Sequence, residues 1–163
     1  MASLNHEQLM KAALSEAEKA ARQEEVPVGA VVATKEGEII ASAGNQTLAL
    51  NDPTAHAEIL AIRRAARAVG NYRLNNLLLY VTLEPCPMCV GAMIWARIST
   101  LVFGAWDEKS GACGSVVDIL GSGRFNHRFE VVPGILADES AALLRDFFRK
   151  RRLHTAGLQE IER

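Results

Sequence analysis

Cysteine is scarce in this chain, with three in 163 residues. An odd, small number leaves no room for a disulfide framework and fits a reducing compartment better than an oxidising one. Long apolar runs are absent: no stretch of eighteen or more apolar residues occurs, which argues against a membrane-spanning helix. The opening Met1-Ala2-Ser3-Leu4-Asn5-His6-Glu7 has neither the basic start nor the apolar core of a signal peptide, so a cytoplasmic protein is expected. Global charge is also lacking. The net value is −1, and nothing in the overall balance announces a nucleic-acid partner. Repeats, low-complexity tracts and linkers are missing, so residues 1–163 are expected to form one domain. What remains is ordinary globular usage, 49% hydrophobic and 23% charged, in a chain long enough to bury a core.

The charge is unevenly placed. Residues 145–152 hold Arg145, Arg149, Lys150, Arg151 and Arg152 against Asp146, a local +4 that leaves −5 for the rest.

Periodicity predicts a helix over 6–23, with Met10, Leu14, Ala17 and Ala21 on its apolar stripe. Strands follow over 28–33 and 38–44, joined by a turn at Thr34-Lys35-Glu36-Gly37. After Asn51-Asp52-Pro53-Thr54 a helix is expected over 55–69, burying Ile59, Ile62, Ala66 and Val69. The unalternating run 77–83 reads as a strand covered on both faces. A short helix over 87–96 and a second buried strand over 100–105 come next. Glycines at 111, 114, 121 and 123 suggest loops around a short helix at 113–120. A strand over 129–132 and a basic final helix over about 137–152 complete the domain. Leu143, Leu144, Phe147 and Phe148 form that helix's core face, and 153–163 is left as a tail. This order implies an α/β domain with its sheet between two helical layers.

Two segments carry chemistry: His56-Ala57-Glu58 and Pro85-Cys86-Pro87-Met88-Cys89. Each alone is commonplace. Together, in this order, they match the H-x-E…P-C-x-x-C signature of the zinc-dependent nucleobase deaminases. Zn²⁺ takes thiolate and imidazole ligands in a tetrahedron, and a catalytic site keeps one position open. His56, Cys86 and Cys89 would supply three ligands, one ion per subunit. Pro87 suits the first position of a helix, which places both sulfurs at a helix N-terminus where the macrodipole favours thiolate. Residues two apart on a helix diverge by roughly 200°. His56 and Glu58 can therefore converge only if both sit in a first turn aimed at the metal. Two helix N-termini facing one ion are expected, with Glu58 as the proton carrier. Zinc brings the pKa of water down to about 7. Competing readings are a closed structural site, with Cys113, His6, His127 or His154 as fourth ligand, and a redox Cys-x-x-Cys pair.

At these residues the chain resembles the cytidine deaminase superfamily, and more closely the bacterial tRNA-specific adenosine deaminases. The resemblance spans about residues 6–152. It is carried by Glu25-Val26-Pro27-Val28-Gly29-Ala30, Asn51-Asp52-Pro53-Thr54-Ala55-His56-Ala57-Glu58 and Tyr80-Val81-Thr82-Leu83-Glu84-Pro85-Cys86. Val102-Phe103-Gly104-Ala105, Asn126-His127-Arg128 and Gly134-Ile135-Leu136-Ala137-Asp138-Glu139 extend it. It implies a three-layer α/β/α fold around a five-stranded mixed sheet, a homodimer, and conversion of adenosine to inosine at the wobble position of a tRNA anticodon stem-loop. It further implies that Asn45 bonds the flipped nucleotide, where the residues alone equally allow a turn asparagine. Asp107 and Lys109 match a substrate-facing loop. Trp106 stands where some relatives have arginine, and either base stacking or packing against a dimer partner suits it. Within this resemblance Arg149, Arg151 and Arg152 read as a phosphate-binding edge, against the plainer reading of a solvated basic helix end. Rival functions are deamination of free nucleobases, nucleosides or nucleotides of the guanine or cytidine type, and a non-catalytic, zinc-stabilised RNA-binding subunit.

Overall fold

The computed structural model describes residues 4–161. The chain runs α1 (His6–Arg22), β1 (Gly29–Ala33), β2 (Ile39–Gly44), α2 (Ala57–Val69), β3 (Leu78–Leu83), α3 (Pro87–Ala96), β4 (Thr100–Ala105), β5 (Glu130–Val132) and α4 (Ala137–Ile161). The five strands form one sheet in the order β2-β1-β3-β4-β5. β1 pairs antiparallel with β2 and β3, while β3-β4 and β4-β5 are parallel, so the sheet is mixed as expected.

Alternation along the strands divides the core into two layers. Val31, Ala33, Leu78, Tyr80 and Val102 face α1 with its Leu9, Met10 and Ala13. Val32, Leu79, Val81, Leu101 and Phe103 pack on the other side with Ile59, Leu60, Cys89, Val90 and Met93 of α2 and α3. Both faces are covered, which explains the unalternating apolar runs of β3 and β4. α1 lies close on β1. A Cβ at Gly29 would overlap the backbone oxygen of Ala13, so only glycine fits this crossing.

Several expectations shift in detail. The buried stripe of α1 is Met10, Ala13, Ala17 and Ala20, with Leu14 and Ala21 half-buried at its flank. In α2 burial concentrates in the first turns, Ala57 to Ala61, while Ile62 and Ala66 are half-buried and Val69 is exposed. The helix enters the core end-on and leaves it, so burial follows depth more than helical phase. No α-helix forms over 113–120. The segment holds turns, a Cys113–Asp118 bridge and the start of a 3-10 turn at Leu120–Ser122. Its backbone N–H groups at Cys113 and Ser115 are engaged by the Glu84 carboxylate, which withdraws them from any helical ladder. α4 continues through Ile161, past the expected end at 152, and Phe148 is exposed instead of buried. Residues 162 and 163 of the expected tail lie outside the described residues. No helix among the described residues is long and apolar enough to cross a membrane.

Candidate metal centre and substrate cavity

β3 and β4 end together at Leu83 and Ala105, and the site lies beyond their carboxyl ends, the usual place for a ligand in a parallel sheet. From β3 the chain passes through Glu84 and Pro85 into α3. Cys86 is the N-cap of α3 and Pro87 its first residue, where a missing N–H costs nothing. His56 is the N-cap of α2, and Glu58 lies in that helix's acidic first turn. Neither Cys86 nor His56 spends its side chain on capping. Both helices thus point their N-termini at one place, and the two residues that head them are free to ligate.

There the donors converge. His56 Nδ1 lies 3.6 Å from Cys86 Sγ and 3.6 Å from Cys89 Sγ. The three ligand atoms fall within 4.8 Å of one another and can hold a metal ion. The Cys89 thiol bonds to Cys86 and, with the His56 ring, brings Cys86 down to about 4. The same hydrogen bond, together with burial, pushes the Cys89 thiol upward. His56 is raised, chiefly by its bond to Cys86. Two sulfurs and an imidazole thus lie beside two positive helix ends, which favour the thiolate form that a cation binds.

Among the described residues no fourth His, Cys, Asp or Glu joins the cluster. His6 bonds the buried Tyr80 hydroxyl at 2.8 Å, and His127 bonds the Ile98 carbonyl at 2.6 Å. His154 lies on the outer part of α4. Cys113, half-buried, has its thiol pushed up to about 12 by burial. A protonated thiol outside the cluster is a packing group. Cys113→Ser is therefore expected to retain the full metal content of the wild-type protein, measured by elemental analysis after exhaustive dialysis; loss of metal would identify a closed site.

Glu58 is 4% exposed, and burial raises its carboxyl while a bond with the Cys89 thiol and the nearby His56 oppose the rise. With Asn45, His56, Cys86 and Asp107 it lines a cavity of about 270 Å³. Asn45 does more than occupy a turn. Its Oδ1 accepts the N–H of Ala57 at 2.8 Å, fixing the first turn of α2 from the end of β2. Asp107 folds its own loop, accepting the N–H groups of Lys109 and Ser110 at 3.0 and 3.2 Å.

The remaining candidate residues lie outside this cavity. Lys109, Arg149 and Arg152 border one groove with Arg145, of about 510 Å³. Arg151 borders another of about 470 Å³, with Lys150, His154 and Leu48. Trp106 is 51% exposed and sets its ring edge against Phe103, with centroids 4.9 Å apart. Sequence reasoning missed Val26, Val28, Thr47, Leu83, Glu84 and Ser110, which complete the cavity wall. Glu84 carried a legible signal, a lone acid between a buried strand and the Cys86-x-x-Cys89 segment. The others are loop and strand-end residues that only the fold assembles.

The profile of the MafB19-like deaminase family matches residues 4–152. A tRNA-specific adenosine deaminase of Haemophilus influenzae is 49% identical over 90% of this chain and 84% of its own length. That of Bacillus subtilis is 48% identical over 88% of each. Among solved structures, one from work on A-to-I editing by tRNA:A34 deaminases at the wobble position superposes with a TM-score of 0.81. It is 47% identical and covers 84% of this chain and 99% of that one. A guanine deaminase from Nitrosomonas europaea shares the fold at a TM-score of 0.78 and 26% identity, over 88% of this chain and 85% of that one.

Proposed function

The chain belongs to the MafB19-like deaminase family and, within it, to the tRNA-specific adenosine deaminases, and from this premise we propose how its own residues perform the reaction. The protein deaminates adenosine hydrolytically to inosine at the wobble position of a tRNA anticodon. One observation carries the assignment to residues: two helix N-termini bring His56, Cys86 and Cys89 together beside the buried carboxylate of Glu58, at the floor of one cavity.

Two sulfurs and an imidazole nitrogen suit Zn²⁺, and three protein donors leave the open position of a catalytic site. His56 Nδ1, Cys86 Sγ and Cys89 Sγ are the proposed ligands, one ion per subunit. When bound, the ion supplies Lewis acidity that brings the pKa of water down to about 7. The rest falls to the chain. Glu58 takes a proton from the attacking water and delivers it to N1 of the adenine ring as the C6–O bond forms. The same carboxyl then takes the remaining proton from the new C6 hydroxyl and gives it to the exocyclic nitrogen, so that C6=O forms as the C6–N bond breaks and ammonia leaves. Burial keeps solvent from competing for those protons. Asn45, already tied to α2, and Asp107 orient the extruded nucleotide.

RNA supplies phosphates as well as a base, and the basic grooves beside α4 fit them. Lys109, Arg149 and Arg152 share one groove and Arg151 flanks the other, giving a positively charged border outside the cavity. Among the described residues Arg149 pairs only with the exposed Asp146 at 3.3 Å, an ion pair too weak to compete with a phosphate. An Arg149→Ala/Arg152→Ala double variant should bind an anticodon stem-loop more weakly. Its salt slope should be shallower by about one for each phosphate that the arginines no longer neutralise. Titration by fluorescence anisotropy at several salt concentrations measures this, and an unchanged slope removes both arginines from the interface.

A homodimer accords with α3, whose Met88, Ala92 and Trp95 fall on one face and whose Trp95 is 80% exposed. A cytoplasmic site of action accords with a tRNA substrate and unpaired cysteines. The function is tested by incubating the protein with an anticodon stem-loop bearing adenosine at the wobble position, and separately with free adenosine, cytidine and guanine. Inosine in the RNA alone is expected. Turnover confined to free bases or nucleosides would replace the substrate with a metabolite.

A further inference from the structure

Two buried carboxylates that the reaction does not use tie down the two rims of the cavity. On one side Glu25, 1% exposed, accepts the N–H groups of Leu48 and Ala49 at 2.8 and 2.9 Å and the Thr47 hydroxyl at 3.4 Å. On the other, Glu84 is 2% exposed and is met by donors from a single loop. Its Oε1 accepts the Asp107 N–H at 3.0 Å and the Ser115 hydroxyl. Its Oε2 accepts the N–H groups of Cys113 and Ser115 at 2.9 and 3.2 Å. The loop wraps so closely that a Cβ on Gly111 would fall inside the carboxylate. Among the described residues no cation pairs with Glu84.

We propose that Glu84 is a positioning residue: it fastens the 107–115 loop to the segment that delivers Cys86, and so sets where Asp107 and Ser110 stand over the metal ligands. The inference deepens the deaminase reading and rests on it.

The loop has little regular structure of its own, and its amides at Asp107, Cys113 and Ser115 depend on this one acceptor group. Burying a carboxylate without a cation is costly unless its lone pairs are filled, and here four donors fill them. A neutral amide presents an acceptor to one pair of donors and N–H groups to the other, so it cannot hold both. Glu84 also lies in the backbone between Leu83, the last residue of β3, and Pro85-Cys86. The Glu84 N–H donates to the Ala105 carbonyl at 2.8 Å, and the Pro85 carbonyl accepts the Ala112 N–H at 2.8 Å. The strand end, the metal-binding turn and the loop are thereby one unit.

The test uses Glu84→Gln in the zinc-loaded full chain, with Glu25→Gln as the variant of the opposite rim and Ser115→Ala as a milder cut at an exposed residue. Three quantities are read: zinc per chain, kcat and KM on the anticodon stem-loop, and hydrogen exchange of individual amides. Glu84→Gln should keep one zinc per chain, raise KM about tenfold and change kcat by less. Exchange should quicken at Asp107, Cys113 and Ser115 while Leu48 and Ala49 stay protected; Glu25→Gln should reverse that pattern. Ser115→Ala should raise KM a few-fold with zinc unchanged, and it decides the matter if Glu84→Gln does not fold. Unchanged exchange at the three loop amides, or a fall in kcat and zinc together at constant KM, overturns the proposal. A loop released in Glu84→Gln in a protein inactive on RNA would instead overturn the deaminase reading and leave Glu84 as the loop's anchor.

Discussion

Glu58→Ala is expected to bind zinc and anticodon stem-loop RNA as the wild type does and to lose turnover by about 10²- to 10⁴-fold, the usual share of general acid–base catalysis. The size follows from how few groups can replace the carboxyl. Glu84 and Asp107 also line the cavity, but Glu84 is filled by four loop donors and Asp107 by the amides of Lys109 and Ser110. Glu58 alone among them sits in the first turn of α2, two residues from His56, the proposed ligand, and in reach of the Cys89 sulfur. Glu58→Gln sharpens the result, since it preserves shape and removes only the capacity to carry a proton. Single-turnover formation of inosine, read beside zinc content and RNA anisotropy, separates chemistry from binding. A variant that still turns over at the wild-type rate would remove Glu58 from the mechanism, and one that sheds zinc would make it a structural support.

The geometry of the site was legible in the sequence because each part is local. Pro87 announces the start of α3, and with it the place of Cys86 and Cys89. The divergence of side chains two apart on a helix forces His56 and Glu58 into one first turn, where the structure has them as N-cap and acidic first-turn residue. β4 and α3 follow their expected bounds because strong buried runs and a proline delimit them. What stayed hidden depends on contacts between segments distant in the chain. The 113–120 segment was expected to be helical, but Glu84, 29 residues before Cys113, takes its amides. Val69 continues the apolar phase of α2, yet the helix has left the core by then and the residue is exposed. Phe148 fits a core stripe on α4, but the helix packs on β4 and β3 only along its first turns, where Ser140 is buried, and Phe148 is exposed. Pattern reports which face of a helix is apolar; it does not report how far the helix lies from the sheet.

Removing the metal is expected to abolish turnover altogether and to lower the melting temperature on the order of 10 °C, while Cys89→Ser, which replaces the buried ligand, does both without a chelator. The stability effect has a structural cause. α2 and α3 bring the positive ends of two helices and three donors within 4.8 Å, in a place where neither N-cap side chain closes its own helix. Cys86 is held down to about 4, chiefly by its hydrogen bond from the Cys89 thiol. His56 Nδ1 meets the two sulfurs at 3.6 Å, contacts that are a weak substitute for direct bonds to a shared ion. An ion that binds only the folded arrangement adds its binding free energy to folding, about 4 kcal/mol at a thousandfold excess over Kd, which is several degrees per kcal/mol in a chain of this size. Differential scanning fluorimetry with and without chelator measures the shift, and restoring zinc should recover both melting temperature and inosine formation. Full activity with metal below detection would refute a catalytic ion at this site. Recovery of melting temperature without recovery of inosine would show instead that the ion holds α2 against α3 and takes no part in the reaction.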